Sequence, residues 1–324
     1  MAEFVDEARA KRLKFRNLLT RKEMTVMTGG FSPLLAVMAE RVGFEAFFVA
    51  GSQMSGFLYA VPDTGVIGLR DIIDHGRHIA ARTTIPIMLD CDTAFGNATN
   101  VWFTVEEVVR AGLAGLQIED QEAPKKSGTG GGRRCIGVEE AVGKYKAAVA
   151  ARNSIDPSFV ICARTDSVGS EGGGIDDAIT RCNAYLKDGG VDFVWLNAIE
   201  TLDDVKRAAK EIAGPVLLTG GASGVTSLDD YRTAGIKIFM HPTLAASGAL
   251  RGAWEALHAF HDKGLAGLKE WGMSAKAYEH GAADFRHFNR NDMIKELEAQ
   301  FMPSSLQRDY VNTFGLDSPT RKPK

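Results

Sequence analysis

Eight short apolar, β-rich runs alternate along this chain with amphipathic segments at intervals of about 25 to 35 residues, a pattern that leaves few folds open. The runs are Met24–Thr28, Ala46–Gly51, Ile85–Asp90, Ala114–Asp120, Phe159–Arg164, Val191–Leu196, Val216–Thr219 and Ile236–Met240. Helical segments fall between them, among them Val101–Ala111, Val138–Ala151, Ile175–Lys187 and Leu202–Ile212, and Ala-Gly or Gly-Gly pairs precede several strands as helix C-caps require. Parallel strands joined by helical crossovers follow, and eight such units without a switch in order favour a (β/α)8 barrel of the TIM type over a doubly wound sheet. A barrel uses about 250 residues. The chain has 324, so residues 1–263 are expected to form the barrel with a short N-terminal helix, 264–316 a C-terminal helical extension, and 317–324 a disordered tail.

In such barrels the active site lies where the strands end, and here those ends are polar. Thr28-Gly-Gly, Ala50-Gly-Ser-Gln, Leu89-Asp-Cys-Asp, Ile118-Glu-Asp-Gln, Ala163-Arg-Thr-Asp, Leu196-Asn and Leu218-Thr-Gly-Gly follow seven of the runs. Asp90 and Asp92 stand at i and i+2, a spacing that on a strand sends both carboxylates to one side. Glu119 and Asp120 end another apolar run one βα unit later. A hard cation such as Mg²⁺ takes oxygen ligands and is held by one or two protein carboxylates plus water and substrate oxygens. The paired acids are therefore read as a divalent-metal site; the bland alternative is caps and turns that satisfy backbone amides.

Composition narrows the classes. A net charge of −3 gives no basic field for nucleic acid or an anionic membrane. The apolar runs are strand-length, and Met1–Asp6 carries acids where a signal peptide would carry Lys or Arg, so a soluble, cytoplasmic protein is expected. Cys91, Cys135, Cys162 and Cys182 show no C-x-x-C spacing and read as reduced, packed thiols. The seven histidines show no zinc spacing.

Four motifs in consistent order carry a resemblance: Val61-Pro-Asp-Thr-Gly, Leu89-Asp-Cys-Asp-Thr-Ala-Phe-Gly, Ile118-Glu-Asp-Gln and Cys162-Ala-Arg-Thr-Asp. Together, over about residues 12 to 300, the chain resembles the isocitrate lyase/phosphoenolpyruvate mutase superfamily, near the 2-methylisocitrate and 2,3-dimethylmalate lyases. The resemblance implies chemistry on 2-hydroxy or 2-oxo acids bound through Mg²⁺, with Mn²⁺ as an alternative. It implies Asp90, Asp92 and Glu119 as metal residues and Asp63 beside the metal waters. Ala50, Gly51 and Ser52 match the loop that holds the substrate carboxylate, Asp92 and Arg164 also face substrate, and Arg164 neutralises developing charge. A metal gripping an α-oxygen and a carboxylate tolerates an enolate next to the breaking bond. The expected reaction is carbon–carbon cleavage of a 2-hydroxy mono- or dicarboxylic acid to pyruvate or another 2-oxo acid.

The chain departs from its relatives in three places. Where the lyases carry Lys-Arg-Cys-Gly-His, with the cysteine as proton donor, this chain reads Lys125-Lys-Ser-Gly-Thr129 and then Gly130-Gly-Gly132. A serine hydroxyl is a far poorer acid than a thiol of pKa about 8.5, so Ser127 must act with Lys125 and a water, or the chemistry needs no such proton. The Lys- and Gly-rich segment reads as a lid over an anionic substrate; the plain alternative is a solvated loop of Lys125, Lys126, Arg133 and Arg134. Asn197 replaces a family Glu after the sixth strand, and Thr219-Gly-Gly an Asn-x-Thr after the seventh, so Asn197 and Thr219 are expected to touch a substrate that differs from methylisocitrate. The turn from Thr219 to Gly224 is either an anion cradle or a tight βα turn, and Ser170–Gly174 a plain flexible loop.

His241–Asp262 reads as a long helix ending before Gly264, followed by Trp271–Glu279 and Asp292–Phe301. Met293, Leu297 and Phe301 form a stripe that needs covering, by this barrel or, as the resemblance implies, by helix exchange in a homotetramer built as a dimer of dimers. Two rivals remain open at this point: phosphoenolpyruvate mutase, phosphonopyruvate hydrolase or oxaloacetate decarboxylase chemistry on the same metal site, and a non-catalytic barrel that binds metal and ligand.

Overall fold

In the computed structural model the eight runs become eight parallel strands: β1 (Thr25–Gly30), β2 (Phe47–Val49), β3 (Ile87–Asp90), β4 (Gly115–Glu119), β5 (Val160–Thr165), β6 (Phe193–Leu196), β7 (Val216–Thr219) and β8 (Ile238–His241). They pair in chain order, and β8 closes on β1 through Thr25 opposite Ile238 and Thr28 opposite His241, so no sheet edge is left open. The structure describes residues 2–275, 288–291, 293–310 and 312–313. The crossovers are α2 to α9 with α1 before them: α1 (Ala2–Thr20), α2 (Pro33–Val42), α3 (Gly51–Tyr59), α4 (Leu69–Ala80), α5 (Ala98–Arg110), α6 (Val138–Ile155), α7 (Ile175–Lys187), α8 (Leu202–Glu211) and α9 (Leu228–Ala234).

Strand alternation splits the core in two. Val49, Leu89, Leu116, Ile161, Val194 and Leu218 face the helices, whereas Met27, Phe48, Met88, Val160, Phe193 and Trp195 fill the barrel. α1, nineteen residues long rather than the short helix expected, sends Phe15, Leu18 and Leu19 into this inner cluster. Phe15 meets Phe193 edge-on at 6.0 Å, and a Cβ on Gly115 would lie 3.0 Å from Phe15 Cε1 and 2.8 Å from the Val160 carbonyl. Glycine at 115 is what lets the plug seat. Arg12 donates to the Leu113 and Val109 carbonyls and pairs with Asp156 at 2.6 Å; Arg16 donates to the Ser158 and Phe159 carbonyls and pairs with Asp192 at 3.0 Å. Arg12 on the Val109 carbonyl, in the last turn of α5, suits that helix's dipole as well.

The chain divides into two compact units, Met1–Ala253 and Trp254–Lys324. The long helix α10 (Leu244–Ala275) breaks at Gly264, whose φ of 59° and ψ of −138° are not helical, where the sequence placed a helix end. Within the second unit α11 (Met293–Phe301) follows, with Met293, Leu297 and Phe301 at 38%, 46% and 70% exposure. Residues 276–279 of the expected Trp271–Glu279 helix and the tail 317–324 lie outside the described residues. All four cysteines are free. Among the described residues no helix is long and apolar enough to cross a membrane.

Candidate active site

The C-terminal ends of the strands surround a cleft of about 290 Å³. Its chemistry starts at β3. The strand stops at Asp90, and Asp92 lies beyond it in left-handed backbone with φ 47°. Strand alternation therefore does not bring the two carboxylates together, as the sequence argument had it; a turn does. Asp90 Oδ2 accepts from the Gly51 amide at 3.0 Å and Oδ1 from the Asp92 amide at 3.1 Å, while a Cβ on Gly51 would lie 3.2 Å from Asp90 Oδ2 and 3.3 Å from Asp92 Oδ1. The start of α3 thus faces two acids, where the helix dipole favours negative charge. The expected carboxylate-binding loop is partly spent: the Ala50 amide donates to the Gly30 carbonyl and that of Gly51 to Asp90, and of the three residues Ala50 and Ser52 line the cleft.

Lys125 fixes the centre. Its Nζ lies 2.6 Å from Asp63 Oδ1, 2.6 Å from Asp92 Oδ1 and 3.9 Å from Glu119 Oε1. Arg164 reaches Glu119 Oε2 at 3.1 Å and Asp166 Oδ1 at 2.8 Å, with its Cζ 4.6 Å over the Trp195 ring. Burial opposes the Lys125 charge, yet Glu119, Asp90, Asp92 and Asp63 outweigh it and hold the ammonium protonated above its ordinary value. Burial, reinforced by Asp90 and only partly offset by Lys125, raises the Asp92 carboxyl to about 6. Burial likewise pushes Glu119 well above its usual range against the pull of Arg164 and Lys125. The two directions agree once charges are counted: Asp63, Asp90, Asp92, Glu119 and Asp166 outnumber Lys125, Arg164 and Arg133, so the Lys125 ammonium stays charged while buried Asp92 and Glu119 resist ionisation.

Asp120 is not part of this cluster. Adjacent strand residues face opposite sides, so Asp120 turns behind the barrel, where it accepts from Tyr185 Oη at 2.7 Å and the Asp166 amide at 3.0 Å and meets Arg181 Nη1 at 3.4 Å.

A divalent ion suits the donor set. Asp92 Oδ1 and both Glu119 oxygens are buried and accept no aligned hydrogen bond, although cations face them. Lone pairs left over in a cluster of net negative charge match a hard cation that keeps most of its own water. Among the described residues no three acid, His or Cys side chains stand ready as a closed cage. Lys125 sits in their midst and must withdraw for a metal to be held by Asp90 and Asp92.

The segment after β4 is docked over the cleft. Lys126 exchanges two bonds with Gln121 (amide to Oε1, 2.9 Å; Nε2 to carbonyl, 3.1 Å), and the Gly128 carbonyl accepts from Arg133 and from Asn197 Nδ2 at 2.9 Å. A Cβ on Gly128 would fall 2.2 Å from Arg164 Nη2, so a side chain there would displace the guanidinium. Of the four cations, Lys125 and Arg133 are buried and Lys126 and Arg134 exposed, which splits the lid and solvated-loop readings between them. Ser127 lines the cleft, its Oγ 3.4 Å from Thr129 Oγ1. Asn197, expected on the substrate, has its amide nitrogen committed elsewhere: Nδ2 also donates to Asp166 Oδ1 at 2.5 Å. Thr219 and Gly220 line the cleft, and Tyr231 Oη donates to the Gly220 carbonyl at 2.8 Å, so the turn behaves as a pinned βα connection.

Phe48, Trp195 and His241-Pro-Thr243 also line the cleft and went unread in the sequence. The rule that gave the other strand ends applies equally to His241 at the end of β8, and inward alternation gives Phe48 and Trp195.

An eight-stranded barrel whose strand ends converge on buried acids defines a class of barrel enzymes rather than a reaction. The family described as phosphoenolpyruvate phosphomutase matches residues 15–261. The chain is 35% identical over 255 residues to a 2-methylisocitrate lyase of Aeropyrum pernix, covering 78% of this chain and 80% of the other. It is 36% identical over 250 residues to a 2,3-dimethylmalate lyase of Eubacterium barkeri, covering 75% and 85%. Among solved structures, a 2,3-dimethylmalate lyase superposes with a TM-score of 0.79 at 26% identity, over 93% of this chain and 98% of that one. A phosphonopyruvate hydrolase in complex with oxalate and Mg²⁺ does so with 0.79 at 26% identity, over 90% and 99%. The chain belongs to the isocitrate lyase/phosphoenolpyruvate mutase superfamily.

Proposed function

We propose that the protein is a Mg²⁺-dependent carbon–carbon lyase that cleaves a 2-hydroxy acid and releases pyruvate or another 2-oxo acid. The observation that carries this reading is the convergence of Asp63, Asp90, Asp92 and Glu119 on one point of the cleft, with Lys125 and Arg164 beside them. A divalent ion held by Asp90 and Asp92 would supply Lewis-acid stabilisation of charge on the substrate's α-oxygen. Arg164, locked between Glu119 and Asp166 and backed by Trp195, presents fixed positive charge to the anionic substrate. Asp63, which lines the cleft, is the carboxylate placed to accept the hydroxyl proton, and Lys125, which the surrounding acids keep protonated, supplies positive charge beside it.

The lyase relatives support this reading, and the family's metal use is represented by the Mg²⁺-bound phosphonopyruvate hydrolase. Screening 2-hydroxy and 2-oxo acids for 2-oxo acid release, with and without chelator, tests it; Asp90→Ala is expected to lower chelator-sensitive turnover about a thousandfold or more. Chelator-insensitive turnover, or an active Asp90→Ala protein, ends the proposal. A second reading, carbon–phosphorus chemistry or decarboxylation, is favoured by Ser127 standing where the lyases place a thiol; phosphorus NMR with phosphonopyruvate separates the two. Ligand-induced stabilisation with no turnover of any of these acids would leave a binding barrel. The exposed apolar residues of α10 and α11 support assembly as a dimer of dimers, which the mass of the protein in solution measures.

A further inference from the structure

We infer that Lys144, on the outer helix α6, is a positioning residue that sets Asp92 for a divalent ion before the ion arrives, a step that rests on the metal-dependent reading of the site. The turn that carries Asp92 past the end of β3 is strained. Asp92, Ala94 and Phe95 stand at φ 47°, 63° and 59°, in left-handed backbone that residues with a Cβ avoid. Such backbone persists only where its surroundings over-determine it. Part of the hold is main chain: the Asp92 carbonyl accepts from the Glu119 amide at 2.9 Å, and the Ala94 amide donates to the Cys91 carbonyl at 2.7 Å. Side chains supply the rest, Thr104 Oγ1 donating to the Ala94 carbonyl at 3.3 Å and Lys144 Nζ to the Thr93 carbonyl at 2.6 Å.

Lys144 is the costly member of this set. It is 5% exposed and forms no salt bridge among the described residues. A buried ammonium without an ion pair opposes folding, and an apolar side chain would pack this face of α6 without that cost. What the lysine gains is one charge-assisted bond, about twice as strong as a neutral one, to the carbonyl next to Asp92 and 51 positions away along the chain. That bond fixes the Thr93–Ala94 peptide in the middle of the left-handed run. A turn held in this form spares the ion the work of folding it, whereas a turn that relaxes weakens the apparent affinity by the fraction of molecules still folded there.

Calorimetric titration of the full-length protein with MgCl₂ tests this, because charge and position call for opposite signs. Glu119 lies within electrostatic reach of the Lys144 ammonium, so by charge alone Lys144→Met would tighten Mg²⁺. As a loss of positioning, Lys144→Met is expected to weaken Mg²⁺ about tenfold, the effect of removing an outer-shell partner. Ala94→Gly relieves the left-handed cost at φ 63° and should restore most of that affinity in the Lys144→Met protein, while changing it less than about twofold in the wild type. The rise in thermal midpoint on saturation with Mg²⁺ reads the same order of variants where one is too unstable to titrate. Lys144→Met protein that binds Mg²⁺ as tightly as wild type overturns the inference, as does a loss that Ala94→Gly leaves in place, and either leaves the metal-dependent reading standing. Wild-type protein that binds no Mg²⁺ ends that reading and the inference with it.

Discussion

The two ends of the barrel are built on opposite principles. At the N-terminal end, α1 fills the opening with Phe15, Leu18 and Leu19, and Arg12 and Arg16 each meet carbonyl oxygens and an acid in bonded pairs. At the C-terminal end, acids are crowded past what the neighbouring cations neutralise, and buried oxygens go without hydrogen bonds. One end holds the fold together; the other accepts electrostatic cost for the sake of a site. Substitutions should therefore divide by end. The largest effect is expected from Phe15→Ala, which removes a fully buried ring from the plug and should cost about 3–5 kcal/mol in denaturant unfolding, with Mg²⁺ binding to surviving folded protein unchanged. A loss below about 1 kcal/mol would mean that α1 is not a structural plug.

At the opposite end, removing charge should stabilise. The Asp92 carboxyl titrates at about 6 in the folded protein against 3.8 as its ordinary value, so ionisation is harder in the native state than in the unfolded chain. The sign follows: stability that is present at low pH is withdrawn as the pH rises through about 6, by at most about 3 kcal/mol for a difference of this size. In chelator, Asp92→Asn should therefore gain on wild type as the pH rises from about 4 to about 6 and hold that gain above it, measured as the difference between their urea-unfolding free energies at each pH. Parallel profiles would show that Lys125 already neutralises Asp92, and saturating Mg²⁺ should shrink the difference by favouring the wild-type carboxylate.

The same contrast explains what the sequence could and could not convey. Strands buried on both faces must be apolar throughout, which is why all eight were legible, and the acids that end β3 and β4 marked the active end. Direction was harder. Asp92 needed a left-handed turn that no spacing rule announces, and Asp120, beside Glu119, was carried by alternation to the far side of the sheet. Lys125 was expected in a lid, yet its ammonium lies among the acids, because only the folded chain shows which carboxylates lack a cation. Asn197 is the sharpest case: the residue type shows an amide, but whether its hydrogens face the substrate or the protein depends on two acceptors distant in sequence, Gly128 and Asp166.

That reassignment makes Asn197 a test of how the active end is held, with the smallest expected effect of the three. Both of its contacts are to oxygens without a hydrogen to give, the Gly128 carbonyl and the Asp166 carboxylate, so the amide nitrogen must face them and no carboxylate of similar shape serves in its place. Asn197→Ala removes one of the bonds that dock the segment from Lys125 to Arg133, and such a bond contributes about 1 kcal/mol. Trypsin, for which Lys125, Lys126, Arg133 and Arg134 are targets, requires that segment to open, so cleavage there should quicken about fivefold while the thermal midpoint barely moves. Asn197→Asp, which keeps the shape and loses the donor, should do at least as much. Unchanged cleavage in both variants would place the hold on this segment with Gln121 and Arg133 alone, and would return Asn197 to the substrate side of the cleft.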